Sequence, residues 1–456
     1  MSVSRGLARE LVRLAWPVLI AQLAVMANSV IDTVMAGRYA TLDLAAVGIG
    51  SSIYFSVFVA LMGVLLALTP IIAHLYGAGR AADIGEELRQ SVWLAAALAL
   101  AALVLFAHPE PFIAVAQLEP AVEAKVRAYL QVLAWSVPAA LLFRVFYSFS
   151  TAISQPRTVM ALTLVGLVLK LPLNWVFMYG NLGAPRLGST GCAVATALAS
   201  WVVCALAWAW CWYEPGYRRY RLFARWSWPN PGALKRILAL GLPIGVTFLV
   251  DVTGFTFMAL FIARLGPLYS AAHQIAANLA ALCFMLPLAL GNAASVLVGQ
   301  ALGAHQPERA RAAGLIGIAL GLACAALVAS GLYAFSDDIA ALYTGDARLR
   351  RVAAGLIAFV AVYHLFDALQ AVAVNVLRGY KRAVVPMLIY AFALWGVGLG
   401  GGYAIGLTRV DLAWLGLQTP LGAPGFWLAA IASLAIASGL VTAYFLSVSR
   451  AAGLER

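Results

Sequence analysis

Twelve long apolar stretches constrain the fold of this chain more than any other feature. Each holds about 20 or more mostly apolar residues, the length that an α-helix needs to cross the hydrocarbon core of a bilayer. The chain is 64% hydrophobic and only 11% charged, whereas soluble domains are roughly 45–50% apolar and about 25% charged. Because the stretches have no alternating polar face, they predict helices and not the strands of a β-barrel. The predicted spans lie near residues 11–36, 48–73, 88–107, 122–149, 158–180, 189–212, 234–263, 273–302, 312–335, 350–377, 384–407 and 424–448.

The basic residues predict how these spans are oriented. The chain carries 30 Lys and Arg and a net charge of +12. With a cytoplasmic N-terminus, 19 of them fall on the cytoplasmic side, nine fall on the other side, and Arg144 and Lys170 lie inside spans. This is the positive-inside bias, and it predicts that both termini are cytoplasmic. The positive charge is therefore attributed to topology and contact with membrane lipid, and no nucleic-acid partner is expected.

The chain repeats one pattern twice. Shifting the first half by 226 residues without gaps brings matching residues to the same places in the span order. The matches are Pro17 with Pro243, Arg38 with Arg264, Ala45-Ala46 with Ala271-Ala272, and Gly77-Ala78 with Gly303-Ala304.

The repeat predicts two lobes of six helices each. We assign the N-terminal lobe to 1–213, a basic cytoplasmic linker to 214–233 and the C-terminal lobe to 234–456. Six spans per half make the repeats parallel, related by a pseudo-two-fold axis along the membrane normal. This organisation is typical of transporters, with the substrate path between the halves. The predicted fold class is therefore an all-α integral membrane protein with twelve transmembrane helices in two six-helix bundles.

Prolines and glycines inside the spans predict bends and close packing. Pro17 and Pro243 recur in both repeats, which favours a role in bending, whereas membrane helices often tolerate other prolines without functional consequence. The glycine-rich run at 396–406 spaces Gly398, Gly402 and Gly406 four residues apart, a pattern that predicts close helix packing. The seven prolines within spans are Pro17, Pro70, Pro138, Pro172, Pro243, Pro287 and Pro386.

Charged residues inside spans are the candidate functional residues, because an ionisable group in a membrane usually faces a cavity or a partner. In the first half, Asp32 lies one helical turn after Asn28, and Lys170 lies one turn before Asn174, so each pair shares a face. Asp32 and Lys170 can pair if their helices are neighbours. Alternatively, Lys170 lines the cavity and repels cationic substrates until Asp32 neutralises it. The five charged residues that lie away from the ends of the spans are Asp32, Arg144, Lys170, Asp251 and Asp367.

In the second half, Asp251 and Asp367 are far apart in sequence but can meet in one bundle. Tyr363 and His364 precede Asp367 by four and three residues and can share its face, and Gln370 is a further polar neighbour. Two carboxylates and a phenol oxygen suit a hard cation such as Na⁺. The same two carboxylates, desolvated and repelling each other, can instead carry a proton. His364 is either a relay for that proton or simply a hydrogen-bonded side chain.

Five segments together resemble the multidrug and toxic compound extrusion family, specifically its NorM branch. The resemblance covers essentially the whole chain, and its last two segments are the most specific. The segments are WPVLIAQLAVMANSVIDTVMAGRYATLDLAAVGIG (16–50), LPLNWVFMYG (171–180), GLPIGVTFLVDV (241–252), SAAHQIAANL (270–279) and YHLFDALQAVAVNVLRGYK (363–381).

The resemblance implies a function. Members of this family are V-shaped antiporters of twelve helices that expel organic, often cationic, drugs against an inward flow of Na⁺ or H⁺. It also implies the bacterial cytoplasmic membrane as the location, and a monomer is expected. By resemblance, Asp32 and Asn174 match functional positions of the N-terminal lobe. By the same resemblance, Asp251, Asp367 and Tyr363 match the cation-binding positions of the C-terminal lobe, with Na⁺ as one candidate ion.

Two residues depart from the pattern of this branch. Asp251 stands where Glu is common, and Lys170 stands where Asn is common. A fixed positive charge beside Asp32 disfavours a metal ion in the N-terminal lobe. The departures therefore make the C-terminal lobe the better cation site, with Asp32 acting through protonation or through Lys170.

Other functions fit the sequence less well. A lipid-linked oligosaccharide flippase of the same broad fold would need several cationic residues in its cavity to hold a pyrophosphate, and only Arg144 and Lys170 lie away from the span ends. An intramembrane enzyme would need a catalytic motif such as HExxH, which no span carries. No Walker A motif is present either, so ATP is not the expected energy source and no cofactor is expected besides the coupling ion.

Overall fold

The computed structural model describes residues 2–116, 118–224, 226–409 and 420–454, and the side chains of these residues except 2–4, 114–116 and 454. Arg225 and Arg456, two of the predicted cytoplasmic arginines, lie outside the described residues. The described part of the chain is helical and contains no β-strand. Its α-helices are α1 (Ser2–Tyr39), α2 (Thr41–Leu65), α3 (Leu68–Gly77), α4 (Ala81–Ala107), α5 (Glu110–Ala116), α6 (Pro120–Leu133), α7 (Ser136–Ala152), α8 (Pro156–Phe177), α9 (Ser189–Tyr213), α10 (Pro215–Arg218), α11 (Pro231–Ala263), α12 (Pro267–Gly303), α13 (Pro307–Ala334), α14 (Ser336–Tyr343), α15 (Ala347–Gly379), α16 (Val384–Ala391), α17 (Gly401–Leu407) and α18 (Ala423–Leu454).

The predicted number of spans is confirmed. Within the described residues, eleven helical segments are long and apolar enough to cross a membrane. The helices α6 and α7, which meet at an angle of 44°, together count as one further span, the fourth in chain order, and bring the number to twelve. A π-helical segment, Phe392–Gly400, joins α16 to α17 within the eleventh span.

Two predicted spans that read as single helices are broken, and a proline explains each break. α2 ends just before Leu66, four residues ahead of Pro70, and α6 ends just before Ala134, four residues ahead of Pro138. Proline has no N–H to donate to the carbonyl four residues earlier, and its ring clashes with that carbonyl. The chain bridges both breaks with tighter bonds to the third residue back, as in Ala67 N to Val64 O at 3.4 Å.

The chain forms two compact units. One, the C-terminal unit, contains Met1–Leu19 and Val246–Arg456, and the other, the N-terminal unit, contains Ile20–Gly245. The boundaries differ from the predicted lobes, because α1 and α11 are long helices that each contribute to both units. Each helix changes unit two residues after its internal proline, Pro17 or Pro243. These two positions are 226 residues apart, the same shift that relates the sequence repeats.

The predicted linker is part of the N-terminal unit, where its end packs against α4. Gln90, which is 1% exposed, donates to Trp228 O at 2.9 Å and accepts from Asn230 N at 2.7 Å. Trp93 Nε1 donates to Ser227 O at 2.9 Å. These bonds attach the segment that precedes α11 to α4, so the start of α11 is fixed within the N-terminal unit.

In the C-terminal unit, α15 is the central helix and packs against α12, α13 and α18. The glycine-rich run lies against α18, as its spacing predicted. A Cβ added at Gly402 or Gly406 would come within 2.8 or 2.7 Å of the Phe426 ring, and one at Gly398 within 3.0 Å of Ser433 Oγ. These glycines let the two helices approach closely.

Candidate functional site

In the N-terminal unit, α1 and α8 bring three predicted residues together. Lys170 Nζ lies 3.1 Å from Asp32 Oδ1, and Asn174 Nδ2 donates to the same oxygen at 2.8 Å. Lys170 and Asn174 are one turn apart on α8, so both side chains reach α1 from one face. Of the two arrangements that the sequence left open, the structure contains the ion pair.

The other partners of Lys170 were not foreseen from the sequence. Its ammonium donates to Thr196 Oγ1 and, at 3.4 Å, to Cys192 O, both on α9. The residue is 2% exposed, so the ion pair is buried and each ammonium hydrogen has a partner within reach. The sequence signal that could have indicated this partner is Thr196, a polar residue in a mostly apolar helix. A threonine in such a helix, however, more often donates only to the backbone of its own helix. Thr196 does both, because its hydroxyl also donates to Cys192 O at 2.9 Å.

Two amide oxygens of this cluster have no partner among the described residues. Asn28 Oδ1 and Asn174 Oδ1 are both buried and make no hydrogen bond. Buried polar atoms are normally paired with protein or ordered water. The cluster thus retains acceptors for a water or ligand next to Asp32, and the predicted roles of Asn28 and Asn174 in the substrate cavity stay predictions.

A second buried carboxylate, Asp43, holds the start of α9, the helix that carries Thr196. Asp43, on α2, is 2% exposed and accepts from Lys125 Nζ at 2.9 and 3.0 Å. Its Oδ1 also accepts from Ser189 N at 2.6 Å, at the start of α9. An acceptor here satisfies one of the N–H groups that a helix start leaves unpaired, and its negative charge suits the positive end of the helix dipole. Asp43 therefore fixes the helix that carries Thr196.

We expect Asp43→Asn to lower the stability of the protein by roughly 2 kcal/mol, the scale of a lost hydrogen bond to a charged group. The amide keeps the shape but loses the charge that attracts Lys125 and the start of α9. Thermal unfolding in detergent, followed by loss of helical circular dichroism, measures the change. Asp83→Asn is the matched control, because Asp83 lies at the start of α4 in an exposed pair with Arg80. Equal midpoints for the two variants would contradict the supporting role of Asp43.

In the C-terminal unit, the partner of Asp251 is a residue that the sequence did not suggest. Tyr390, on α16, donates its hydroxyl to Asp251 Oδ1 at 2.6 Å. Trp395 Nε1, in the π-helical segment, donates to Val250 O at 3.3 Å. Together these bonds hold α11 against the eleventh span. π-Helical segments occur often at functional sites, and this one follows Tyr390 by two residues.

Asp367 lies on α15 and is 6% exposed. Within the part of the chain that the structure describes, it makes no hydrogen bond and no ion pair. Its helix meets α11, which carries Asp251, where the rings of Tyr363 and Phe255 lie 6.3 Å apart, each one turn from one of the two aspartates. No described lysine or arginine pairs with either carboxylate, in contrast to Asp32.

Tyr363 contributes aromatic contacts in this structure. It is 3% exposed and meets the rings of Phe255 and Trp427 edge to face, at centroid distances of 6.3 and 5.6 Å. The phenol that bonds a carboxylate is that of Tyr390. Tyr363 lies one helical turn before Asp367 on α15, and its role as a cation ligand stays a prediction.

His364 and Gln370 are buried on the same helix, at 1% and 5% exposure. Neither ring nitrogen of His364 has a hydrogen-bond partner among the described residues, so the structure contains no relay contact to Asp367. Among the described residues no three His, Cys, Asp or Glu side chains cluster as metal ligands. A Na⁺ ion bound by Asp251 and Asp367 would rely on hydroxyl and carbonyl oxygens for its remaining ligands, and this site stays a prediction.

Comparison with known proteins identifies the family. The MatE family model matches residues 17–176 and 243–404. The chain belongs to the MatE family. The two matched segments begin at Pro17 and Pro243, the residues aligned by the 226-residue shift, so the internal repeat is a repeat of the MatE unit itself.

Relatives within the MatE family align along nearly the whole chain. A probable multidrug resistance protein NorM from Aromatoleum aromaticum is 41% identical over 95% of this chain and 93% of its own. The multidrug resistance protein PmpM from Pseudomonas aeruginosa is 38% identical over 94% and 90%. The multidrug resistance protein NorM from Vibrio cholerae is 37% identical over 94% and 93%. The predicted resemblance to the NorM branch is confirmed.

Solved MatE-type structures share the fold. The eukaryotic MATE transporter AtDTX14 superposes with a TM-score of 0.86 at 16% identity, covering 99% of both chains. The Vibrio cholerae MATE transporter VcmN in its bent form superposes with a TM-score of 0.83 at 21% identity, covering 100% of this chain and 99% of its own. These similarities confirm the predicted fold class of a multi-pass, all-α membrane protein.

Proposed function

We propose that this chain is a secondary antiporter that exports organic, mainly cationic, drugs or toxins in exchange for inward Na⁺ or H⁺. The names of its NorM and PmpM relatives support multidrug export. The observation that carries the coupling is the pair Asp251 and Asp367, two intramembrane carboxyl groups on helices that meet through the rings of Phe255 and Tyr363, with no described cationic partner. Such groups attract a cation, a proton or a positively charged drug.

If ion and drug cannot bind these carboxylates at the same time, the inward flow of the ion is coupled to the outward flow of the drug. Alternating access requires that ion and drug favour different states, since a ligand that binds both states equally shifts nothing. Competition between ion and drug for Asp251 and Asp367 provides that difference. One charge moving down a potential of 100 mV releases roughly 2.3 kcal/mol, enough for about fiftyfold accumulation.

The geometry favours this function over a lipid-linked oligosaccharide flippase. A pyrophosphate needs several unpaired cationic groups. Of the two cationic residues predicted deep inside the spans, Lys170 is already paired with Asp32 at 3.1 Å, which leaves Arg144. The two carboxylates of the C-terminal unit would repel a pyrophosphate.

We also propose that the protein works as a monomer in the bacterial cytoplasmic membrane with both termini in the cytoplasm. The positive-inside bias supports this orientation. No enzymatic activity is part of the proposal, and the coupling ion is the only cofactor that it requires.

Transport into inverted vesicles tests the function. Vesicles that contain the protein are expected to accumulate ethidium, a fluorescent organic cation, when an outwardly directed Na⁺ or H⁺ gradient is imposed from their lumen. Imposing the two gradients separately identifies the coupling ion, and added ATP is expected to have no effect by itself. Vesicles without the protein are the control. If neither gradient drives accumulation, the antiporter assignment fails.

A further inference from the structure

An open pocket lies on the N-terminal unit, where α1 and α8 end. Its volume is about 390 Å³. Tyr39 is the last residue of α1, and Trp175 lies two residues before the end of α8, so in the proposed orientation the pocket is at the outer surface of the membrane. Asp32 lies two turns before Tyr39, roughly 10 Å along the axis of α1 at 1.5 Å per residue, so the pocket is separate from the ion pair of this unit. The pocket is lined by Tyr39, Trp175, Tyr179, Asn181 and Arg186.

The loop that carries Arg186 is attached to the end of α8. Leu187 N donates to Phe177 O at 3.2 Å. Gly180 has a φ of 75°, which glycine adopts without strain, and a Cβ at this position would collide with Cγ of Arg186. The loop therefore holds the stem of the arginine against its own backbone at the edge of the pocket.

Aromatic residues form the wall of the pocket. The Tyr179 hydroxyl donates to Met35 O at 3.0 Å, and its ring meets that of Tyr39 edge to face at a centroid distance of 5.6 Å. Asn181 Nδ2 donates to Trp175 O at 2.9 Å. These contacts join the end of α1, the end of α8 and the following loop into one surface.

Several donors of this surface have no partner. The Arg186 guanidinium makes no hydrogen bond or ion pair with any described residue, and the Tyr39 hydroxyl and Trp175 Nε1 make no hydrogen bond with one. The described residues that line the pocket include no aspartate or glutamate. A positive charge with nearby O–H and N–H donors and no carboxylate suits an anion, and a guanidinium binds phosphate oxygens with two parallel hydrogen bonds.

An exposed apolar stripe runs from the pocket along α8 towards the middle of the membrane. Its residues are spaced by three or four positions, so they share one face of the helix, and each is between 39% and 68% exposed. The ten residues that it covers span about 15 Å at 1.5 Å per residue, half of the roughly 30 Å hydrocarbon core. This is the depth of one leaflet. The stripe consists of Val165, Val168, Leu171 and Trp175.

We propose that the N-terminal unit binds an anionic phospholipid of the outer leaflet, phosphatidylglycerol, at this pocket. Its phosphate contacts Arg186 and the free donors of Tyr39 and Trp175, and one acyl chain lies along the stripe. The stripe favours a lipid over a free anion, because a free anion would leave it uncovered. The absence of a carboxylate among the lining residues favours an anionic headgroup over a zwitterionic one, whose ammonium would have no partner. The inference does not depend on the proposed transport function.

The test is lipid binding to the full-length protein, purified in detergent and freed of lipid, measured by native mass spectrometry. With dioleoyl-phosphatidylglycerol as the probe, Arg186→Gln is expected to raise the Kd of the first lipid about tenfold, the scale of one hydrogen bond to a charged group. Val168→Gln is expected to raise it about fivefold, because an amide replaces apolar surface under the chain. Dioleoyl-phosphatidylcholine is expected to bind the wild type about tenfold more weakly, and excess inorganic phosphate is expected not to displace the lipid.

The matched control is Arg351→Gln. Arg351 is an exposed arginine near the start of α15 whose described bond is to the backbone of its own helix, and this variant is expected to bind phosphatidylglycerol like the wild type. Wild-type affinity in Arg186→Gln would overturn the proposal, as would equal affinity for the two lipids. Displacement by inorganic phosphate would show a site for a free anion and would also overturn it. If Arg186→Gln loses its helical circular dichroism, Val168→Gln and the two lipids with the wild type decide the outcome.

Discussion

Asp367→Asn is expected to abolish ion-driven accumulation of ethidium in inverted vesicles. The amide has the size of the carboxyl group but cannot release a proton or carry the charge that holds a cation. Accumulation is expected to fall from about fiftyfold at 100 mV toward equality across the membrane. The measurement is ethidium fluorescence under an imposed Na⁺ or H⁺ gradient, at equal amounts of protein per vesicle.

The control for this prediction is Asp338→Asn. Asp338 undergoes the same chemical change on the exposed surface of α14, in the same unit, and transport by this variant is expected to equal that of the wild type. Asp251→Asn is expected to behave like Asp367→Asn if the two carboxylates act as a pair. If Asp367→Asn retains full ion-driven accumulation, the mechanism proposed for the C-terminal unit is wrong.

The second large effect is expected from Asp32→Asn, through stability. This change leaves the Lys170 ammonium buried at 2% exposure without its carboxylate. Breaking a buried ion pair by removing one partner costs roughly 3–5 kcal/mol. Replacing Lys170 as well, in the double variant Asp32→Asn with Lys170→Met, removes the unpaired charge and is expected to recover much of the loss. Thermal unfolding of the four proteins of this cycle in detergent measures the coupling.

An exposed ion pair provides the scale for this comparison. Glu10 and Arg309 lie 3.3 Å apart and are 41% and 52% exposed, and Glu10→Gln is expected to cost less than about 1 kcal/mol. We therefore expect Asp32→Asn to lower the free energy of unfolding several times more than Glu10→Gln does. A double variant as unstable as Asp32→Asn alone would show that Asp32 acts through other contacts than Lys170.

The sequence predicted the elements of the candidate site better than its contacts. Helical spacing placed Lys170 and Asn174 on one face, and both reach Asp32. The spacing could not predict Thr196, Cys192 or Tyr390, because each lies on a helix that only tertiary packing brings near the charged residue. Helical spacing favoured Tyr363, which lies one turn from Asp367, but the close approach of α11 to the eleventh span makes Tyr390 the donor to Asp251.

The boundaries of the two compact units also depend on tertiary packing that the sequence pattern does not show. The predicted division follows loops, since loops are where composition and charge change. The compact units divide instead within α1 and α11, two residues after Pro17 and Pro243. Where a helix continues across a unit boundary, the composition of the chain does not change there, so composition cannot locate the boundary. The repeated prolines, however, lie two residues before the boundary in both halves.

The sequence alone determined the class, the number of spans, the repeat and the identity of the intramembrane charges. Hydrophobic length and the requirement to satisfy backbone hydrogen bonds in lipid act locally, so they can be deduced from the order of residues. Only the tertiary structure decided that Asp32 is neutralised by Lys170 while Asp251, Asp367 and Arg144 lack an opposite charge among the described residues. Pairing between helices depends on distances of about 3 Å across a packed interface, and no local pattern in the chain specifies these.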